Sequence, residues 1–415
     1  MPDPRTPGVY VEELPSPAPR IEWAKTAVTA FLGRTLSGPV EDAVGITSLS
    51  QFERLFGPLS AELPLGHAIR QFFENGGAEA VVVRLFENGG QASAGNPPQD
   101  DGGPPLAIDT FLGDEDRQTG LYTLAKADSF NLLVIPPDSR LREDVPVERQ
   151  FLDPAIVEAA AKFCSEQRAF FIADPPAAWI EAASRSAYDE IDLRDARIRG
   201  SDRFGSKIGR NSAVYFPRIE ARDPVNGESA LYPPSAAIAG IYARTDMQEG
   251  PWKAPAGTNA DFIGVTGFDH DLGDTEQALL NPLGINGLRT FPQAGPVIWG
   301  ARTVRGADRF GDEFKYVPVR RTFLMVEQSV IRSMDWTVFE PNDERLWQNV
   351  RSRVEAFLRD LHRSGALSEY FVRCDRTTMT QSDVDAGIVK LVIGLALVKP
   401  GEFIVSQIDL KAASA

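Results

Sequence analysis

The sequence has little cysteine, little histidine and fewer positive than negative charges. With 2 Cys and 3 His in 415 residues, it contains neither a disulfide framework nor a Cys/His zinc pattern. We expect Cys164 and Cys374, each inside an apolar run, to be reduced and buried. There are 43 Lys and Arg against 58 Asp and Glu, so the formal net charge is -15. Phosphate neutralisation needs clustered Lys and Arg, so this composition argues against direct binding of nucleic acid or an anionic membrane.

Long apolar runs are also missing. The longest, residues 391–398, is far too short to cross a bilayer, and residues 1–5 lack the apolar core of a secretory signal. We therefore expect synthesis and folding in the cytoplasm, without membrane insertion. Hydrophobic residues still make up 43% of the chain, which is enough for at least one large core. The length suggests two or three domains.

Residues that could support catalysis are scarce. His67, His270 and His362 are the only imidazole bases, and the Gly-x-Ser-x-Gly nucleophile elbow of serine hydrolases does not occur. Residues 200–207 come nearest to a phosphate-binding loop, but Ser206 stands where that motif requires lysine. Nucleotide binding at this loop is therefore disfavoured.

An acidic segment offers the best candidate for a metal site. Asp269, Asp271, Asp274 and Glu276 could surround a calcium ion, but Gly273 replaces the third ligand of the helix-loop-helix motif. A solvated acidic loop is the favoured interpretation. We predict that the chain is not an enzyme and has no catalytic, cofactor-binding or metal-binding residues.

Both ends of the chain are predicted to be isolated strands. Prolines and glycines separate residues 9–14 and residues 403–410 from the segments beside them. An unpaired strand exposes peptide N–H and C=O groups that need partners. The strands could fold back on their own domain, or they could pair with the sheet of another molecule. Donation to a different surface of the next copy builds rings or open helical polymers.

The part of the chain between the ends predicts an α/β fold. Short apolar strands alternate with helices, which is typical of a mostly parallel sheet covered by helices. The predicted strands are residues 27–32, 80–85, 131–135, 169–173 and 212–216, and the predicted helices are residues 48–56, 65–73 and 155–163. Residues 88–105 are rich in Gly and Pro and indicate a surface loop or a domain junction. Residues 223–310 carry few periodic signals.

The C-terminal third predicts two helices followed by strands. The first helix is marked by Phe323, Val326 and Val330. The second has an apolar stripe at steps of three and four, with Asn342 as its expected N-cap and Gly365 as its expected stop. That stripe consists of Leu346, Val350, Val354, Phe357 and Leu361. Alternating strands are predicted at residues 370–374 and 389–397.

Four short runs carry a resemblance to a known family. They are Pro7-Gly8-Val9-Tyr10-Val11-Glu12-Glu13, Asn281-Pro282-Leu283-Gly284-Ile285-Asn286, Gly300-Ala301-Arg302-Thr303 and Tyr316-Val317-Pro318-Val319-Arg320-Arg321. Together with the ending of helix and strands, they closely resemble the contractile tail sheath family. Type VI secretion sheaths split the inner domain between two proteins, whereas this chain carries both terminal strands. A phage tail, a tailocin or a phage-derived injection particle therefore fits better.

The resemblance implies an α+β inner polymerisation domain, built from both chain ends, with an inserted outer α/β domain. The implied division is a donor arm, the first part of the inner domain, the outer domain, the second part of the inner domain and a second arm. These correspond to residues 1–20, 21–87, 88–310, 311–400 and 401–415. It also implies that contraction draws on a metastable extended lattice and needs no bound ATP.

In such a sheath, terminal strands of neighbouring copies complete a shared sheet. The implied strand donors are Val9, Tyr10, Val11, Glu12, Leu14, Phe403, Ile404, Val405, Ile408 and Leu410. The candidate acceptor strands are residues 27–32, 370–374 and 389–397. Within the last two strands, the named acceptors are Val372, Cys374, Val389, Leu391, Ile393 and Leu395.

The resemblance also implies partners. These are further copies of the chain in a helical polymer, an inner tube protein, and baseplate and tail-terminator proteins. The tube-facing candidates on the second helix are Arg345, Arg351, Arg353, Arg359 and Arg363. An ordinary solvated face, with local pairs to Glu355 and Asp360, is an equal alternative. Two other functions stay open: a cytoplasmic α/β hydrolase or ligand-binding protein with self-docked termini, and a ring-forming adaptor from the same machinery.

Overall fold

The described residues of the protein form two compact units. The structure is a computed structural model, and it describes residues 20–86, 106–139, 150–192 and 207–402. Of these, the large unit takes residues 25–326 and 397–402, and the small unit takes residues 20–24 and 327–396.

Four sequence predictions lie outside the described residues. They are the N-terminal strand at residues 9–14, the loop or domain junction at residues 88–105, residues 200–206 of the broken phosphate loop, and the C-terminal strand at residues 403–410.

An eight-stranded sheet forms the centre of the large unit. Its strands, numbered in chain order, are β1 (Thr29–Gly33), β2 (Ala43–Ile46), β3 (Ala80–Arg84), β4 (Leu132–Val134), β5 (Phe170–Ala173), β6 (Ser212–Phe216), β10 (Ile285–Phe291) and β11 (Gly295–Trp299). Their order across the sheet is β11-β10-β6-β5-β4-β1-β3-β2. The six inner strands run parallel, and the edge strands β2 and β11 run antiparallel to their neighbours. The prediction of a mostly parallel sheet is confirmed.

Alternate residues of these strands enter two separate hydrophobic cores, one on each face of the sheet. Leu32 and Leu133 belong to one core, whereas Phe31 and Leu132 belong to the other. The helices that contribute to the first core are α3 (Ile108–Leu112), α4 (Pro154–Glu166), α5 (Ala177–Ser184) and α7 (Asp274–Leu280). Those contributing to the second are α1 (Leu49–Phe56), α2 (Pro64–Glu74) and α6 (Ser235–Glu249), with the start of α8 (Val317–Arg332). Burial on both faces explains why the strands read as continuous apolar runs.

Helix α6 was not predicted because it lacks an amphipathic pattern. Its first nine residues are all buried, so the sequence shows no polar face with a helical period. Gly240 lies where α6 approaches α2, and an added Cβ would come within 2.4 Å of the Phe72 carbonyl oxygen. The same weakly patterned region forms an antiparallel sheet of β7 (Ile219–Arg222), β8 (Ser229–Tyr232) and β9 (Val265–Phe268).

The structure divides the chain differently from the predicted division. Strand β1 pairs with β3 on one side and with β4 on the other. The segment predicted as the first part of the inner domain, residues 21–87, therefore shares its sheet with strands predicted to lie in the outer domain. Residues 88–105 separate two strands of one sheet and not two compact units. Pairing between distant strands overrides the junction-like composition of that segment.

The small unit contains a long helix and a two-stranded sheet. Besides the end of α8, its elements are α9 (Glu344–Arg363), β12 (Leu367–Arg373), α10 (Gln381–Asp385) and β13 (Val392–Leu397). Strands β12 and β13 pair with each other. At one end of α9, a small core contains Leu346, Trp347, Val350, Cys374 and Met379. Both predicted helices and both predicted strands of this region are confirmed.

The ends of α9 correct one prediction and confirm another. The N-cap is Asp343 and not Asn342, because the Asp343 carboxylate accepts the Leu346 N–H at 3.0 Å. Asn342 instead accepts the indole N–H of Trp347 at 2.8 Å. Gly365 follows the helix with a φ of +84°, the left-handed conformation expected of a C-terminal stop.

Candidate assembly surfaces

The two-stranded sheet of the small unit offers open strand edges. Within the described residues, β12 and β13 each pair only with the other. Each strand therefore leaves one row of peptide N–H and C=O groups without a strand partner. The sheet is also small, and two strands alone are marginal in water. An added strand at either edge would satisfy both needs.

The structure brings the named acceptor residues together on this sheet and its flanks. Val372 lies in β12, and Ile393 and Leu395 lie in β13. Cys374 is part of the small core, and Val389 and Leu391 pack against it. Residues 389, 391, 393, 395 and 397 are all half-buried, whereas residues 390, 392, 396 and 398 are exposed. The predicted alternation is interrupted at Gly394, which is half-buried like Ile393 and Leu395. Acceptance of a foreign strand stays a prediction.

Large apolar side chains are exposed on and beside the same sheet. The exposed fractions are 50% for Phe371, 43% for Val392 and 47% for Ile388. The Phe371 ring crosses β13 at Gly394, where an added Cβ would meet it at 2.0 Å. This surface is therefore apolar as well as open at its edges, which suits contact with another protein.

Strand β1 cannot accept a donated strand. The sequence predicted residues 27–32 as an acceptor, but both edges of β1 are already paired, with β3 and with β4. All five of its residues are buried. That prediction is wrong, because a central strand of a parallel sheet has no free edge.

The five arginines of α9 differ in their surroundings. Arg345, Arg359 and Arg363 are exposed. Arg351 lies 3.8 Å from Glu355, and Arg363 lies 3.8 Å from Asp360. These are the local pairs of the alternative interpretation, and exposed pairs of this kind stabilise little. Contact of this face with an inner tube stays a prediction.

Arg353 is engaged within the small unit. Its guanidinium lies over the Trp336 ring at 3.6 Å from the centroid. Burial lowers the pKa of Arg353. The side chain thus packs on the loop between α8 and α9, so it presents less of its charge to a partner than Arg345 does.

Three of the four resemblance runs meet in one partly buried cluster of the large unit. Arg302 donates to the side-chain oxygens of Glu402 at 2.6 and 2.7 Å. Glu402 also accepts from the Asn281 amide at 2.9 Å and from the Tyr316 hydroxyl at 3.0 Å. Asn286 holds the Arg302 backbone, accepting its N–H at 2.7 Å and donating to its C=O at 2.8 Å. The resemblance runs contain Asn281, Asn286, Arg302 and Tyr316. Glu402, which three of them share as a partner, lies outside these runs and was not predicted.

The electrostatics of this cluster favour the ionised pair. Burial alone would raise the pKa of Glu402, but hydrogen bonds from Arg302 and Asn281 outweigh it and lower the pKa. Burial together with Glu402 raises the pKa of Tyr316 to about 12. Because the pKa of Glu402 is lowered, its contribution to stability is complete above the ordinary value of 4.5. It is lost only as the pH falls further, through the folded-state pKa.

A second buried arginine, Arg321, binds the N-terminal segment of the large unit. Arg321 donates to both side-chain oxygens of Asp246, at 2.9 and 2.6 Å, and to the Thr26 carbonyl at 2.9 Å. The Arg321 and Asp246 side chains are 3% and 5% exposed. Thr26 also donates its hydroxyl to Asp246. Arg321 belongs to the same resemblance run as Tyr316, so this run contributes to both clusters.

Three neighbouring side chains, Ser184, His270 and Asp269, resemble a catalytic triad. The Ser184 hydroxyl oxygen lies 3.3 Å from His270 Nε2, and His270 Nδ1 lies 3.2 Å from Asp269. However, Ser184 donates its proton to the Ile180 carbonyl at 2.8 Å, a bond to the preceding turn of α5. Asp269 is also bound by Arg218. A triad needs the serine proton to point at the histidine, so these contacts are better explained as joining α5 to the loop after β9.

The other candidate groups for chemistry have structural surroundings. His67 is buried and contacts the Ser60 carbonyl oxygen at 2.8 Å, and His362 lies beside Tyr370. Both cysteines are free and buried. Burial raises the pKa of Cys164, and burial with the neighbouring Asp375 raises that of Cys374 to about 11. Both side chains are therefore thiols at neutral pH and weak nucleophiles.

The acidic loop does not gather its carboxylates around a common point. Asp269 pairs with Arg218, Asp274 pairs with Arg289 at 2.8 Å, and Glu276 accepts the Gly273 N–H at 2.8 Å. Among the described residues, no group of three or more His, Cys, Asp or Glu is placed to hold a metal ion. None of the described helices is both long and apolar enough to span a membrane.

Comparisons with protein families identify two matching regions. Residues 204–304 match the phage tail sheath protein central domain, and residues 311–411 match the phage tail sheath C-terminal domain. The tail sheath protein of Vibrio phage KVP40 is 30% identical over 164 residues, covering 39% of this chain and 24% of that protein. The tail sheath protein of Salmonella phage ViI is 28% identical over 231 residues, covering 55% of this chain and 34% of that protein. The chain thus spans about a quarter of the first relative and about a third of the second.

Solved structures match nearly the whole chain. The anti-feeding prophage (AFP) helical sheath in the contracted state has a TM-score of 0.70 and is 28% identical, covering 98% of this chain and 99% of that chain. The PVC sheath complex of an extracellular contractile injection system, also contracted, has a TM-score of 0.69 and is 27% identical. That match covers 99% of this chain and 98% of that chain.

Proposed function

Since this chain belongs to the contractile tail sheath family, we propose that it polymerises by strand exchange into a helical tube around an inner tube. In this proposal, contraction of the sheath drives the inner tube through a target envelope. The energy comes from a metastable extended lattice, so no catalytic site or nucleotide is required. The polymer forms in the bacterial cytoplasm as part of a phage tail or a phage-tail-like particle.

The observation that carries this proposal is the open sheet of the small unit. Strands β12 and β13 offer two edges, and the sequence provides two isolated strand-like segments, residues 9–14 and 403–410. Main-chain hydrogen bonds would give affinity, and apolar side chains such as Val372 and Leu395 would fix the register. The small unit, joined by the terminal arms, is then the inner polymerisation domain.

The arginine face of α9 supports a second part of the proposal. We place Arg345, Arg359 and Arg363 towards the inner tube protein, because they are exposed. Arg351 and Arg353 contribute less, since one pairs with Glu355 and the other stacks on Trp336. Baseplate and terminator proteins would meet the same open edges at the two ends of the tube.

Deletion of the arms tests the proposal. Two truncated chains, lacking residues 1–20 or residues 403–415, are purified and examined by negative-stain electron microscopy beside the intact chain. We expect long tubes from the intact chain and dispersed, folded subunits from both deletions. Ordered tubes from both deletions would exclude strand exchange.

The intact chain also separates the remaining functions. Closed rings instead of indefinite tubes would indicate an adaptor of the same machinery. A monomer whose light scattering does not change with concentration would indicate self-docked termini, as expected for a hydrolase or ligand-binding protein.

A further inference from the structure

The C-terminal arm begins at a point that is held firmly on the large unit. After β13, the chain leaves the small unit, and residues 397–402 belong to the large unit. Glu402, the last described residue, contacts groups that are 86 to 121 residues away in sequence. Local sequence therefore does not explain its position. Side chains from three separate segments fix it there.

Four hydrogen bonds hold the Glu402 carboxylate. It accepts two hydrogen bonds from Arg302, one from Asn281 and one from Tyr316. The Arg302 side chain is 1% exposed, and it also donates to the Asn281 carbonyl at 2.7 Å and to Asp308 at 3.1 Å. Lys315 is the other nearby cation, with its Nζ 3.9 Å from the carboxylate. Losing Glu402 would leave Arg302 buried with less compensation, which is costly.

We propose that Glu402 is a positioning residue for assembly, which fixes the root of the C-terminal arm on the large unit so that residues 403–415 leave from one defined point. The inference rests on the proposed strand exchange. A fixed root limits the directions and distances that a tethered strand can sample, and it thereby raises the strand's effective concentration at one acceptor edge. Assembly into a single helical lattice requires this, because each copy must donate to the same neighbour.

The N-terminal crossing supports this inference. There the chain passes from the small unit to the large unit between residues 24 and 25. Arg321 and Asp246 hold Thr26, two residues beyond that point. An arginine–carboxylate pair thus lies close to each point where the chain passes between the units, and both arginines come from the resemblance runs. This repetition is expected if fixing the chain at these crossing points serves assembly.

Two variants and a matched control test the proposal. Glu402→Gln removes the charge of the anchor, and Tyr316→Phe removes one hydrogen bond while leaving the Arg302–Glu402 pair intact. Glu313→Gln makes the same chemical change as the first variant, at a side chain that is 71% exposed. Hydrogen exchange of residues 397–402, thermal unfolding and the number of tubes per micrograph are measured for each variant.

We expect Glu402→Gln to speed hydrogen exchange at residues 397–402 at least tenfold and to reduce tube number at least tenfold. Exchange in strands β4 to β6 stays unchanged, which a merely destabilised large unit would not show. Tyr316→Phe shifts both quantities in the same direction by a smaller factor, and Glu313→Gln matches the unaltered protein. Should Glu402→Gln fail to fold, Tyr316→Phe decides, and wild-type exchange and assembly in that variant would overturn the proposal.

The deletion of residues 403–415 separates failure of the anchor from failure of strand exchange. If that deletion abolishes tubes while Glu402→Gln assembles normally, the positioning role is wrong and strand exchange stands. If both proteins assemble normally, strand exchange through the C-terminal arm fails as well.

Discussion

The two sheets of this protein differ in whether the described chain completes them. The large sheet has eight strands, and its inner strands are buried on both faces. The small sheet has two strands, in which Leu367 and Val372 are buried and Phe371 and Val392 are exposed. A second sheet with unpaired edges gives no advantage to a protein that stays monomeric. The contrast supports the proposal that the large unit supplies stability and the small unit supplies contacts for assembly.

The largest loss of stability is expected from a substitution in the core of the large unit. Trp179 is fully buried, its indole N–H donates to the Asp192 carbonyl at 3.1 Å, and its ring meets Phe216 edge-on. We expect Trp179→Ala to lower the free energy of unfolding by about 3–5 kcal/mol, measured by urea denaturation. Leu279→Ala, at a side chain 42% exposed in the same unit, is the control and changes it by less than about 1 kcal/mol. Equal losses from both variants would contradict the assignment of stability to this core.

A smaller effect is expected from pH, again in the large unit. Asp174 is half-buried, and its carboxylate accepts the Ser235 N–H at 2.9 Å and the Ser235 hydroxyl at 2.8 Å. Burial outweighs these bonds and raises the pKa of Asp174 from 3.8 to about 7. Between those values the folded state keeps a proton that the unfolded state has released. Stability therefore falls as the pH rises through this window and levels off above it.

The variant Asp174→Asn isolates this contribution. We expect its unfolding free energy to change less between pH 4 and pH 7 than that of the unaltered protein, by on the order of 3 kcal/mol. Denaturation curves at four pH values provide the measurement. Parallel pH profiles for the two proteins would show that Asp174 does not titrate in this range.

The smallest effect on stability, and a large effect on assembly, is expected at the small sheet. Val392→Lys places a charge at an apolar side chain of the small sheet that is 43% exposed. Met247→Lys makes a similar change at a side chain of the large unit that is 74% exposed. Both should change the unfolding free energy by no more than about 0.5 kcal/mol. Only Val392→Lys should reduce tube yield, measured by sedimentation. Equal yields from the two variants would remove the functional distinction between the units.

The elements that the sequence predicted well have strong local signals. Strands β3 and β6 each contain a run of four apolar residues, and α9 has a stripe repeating every three to four residues. Helix α6 was missed because burial on every side removes that repeat. The N-cap of α9 was misplaced by one residue, since Asn342 and Asp343 are both good caps and the Trp347 indole decides between them.

Relations between distant residues were not predictable from local patterns. The position of β1 between β3 and β4 depends on pairing across a loop that has the composition of a domain junction. Glu402 and Arg302 are 100 residues apart, and no local pattern in either segment predicts that the two side chains pair. The resemblance runs did indicate Asn281, Arg302 and Tyr316, but only the folded chain shows that these side chains share one carboxylate.

The proposed assembly requires other copies of the chain to complete the small sheet. A cryo-EM map of assembled tubes tests this requirement most directly. We predict that β12 and β13 lie within a larger sheet whose additional strands trace to neighbouring copies. A map in which both edges stay bare, or in which each terminal strand pairs within its own copy, would contradict the account.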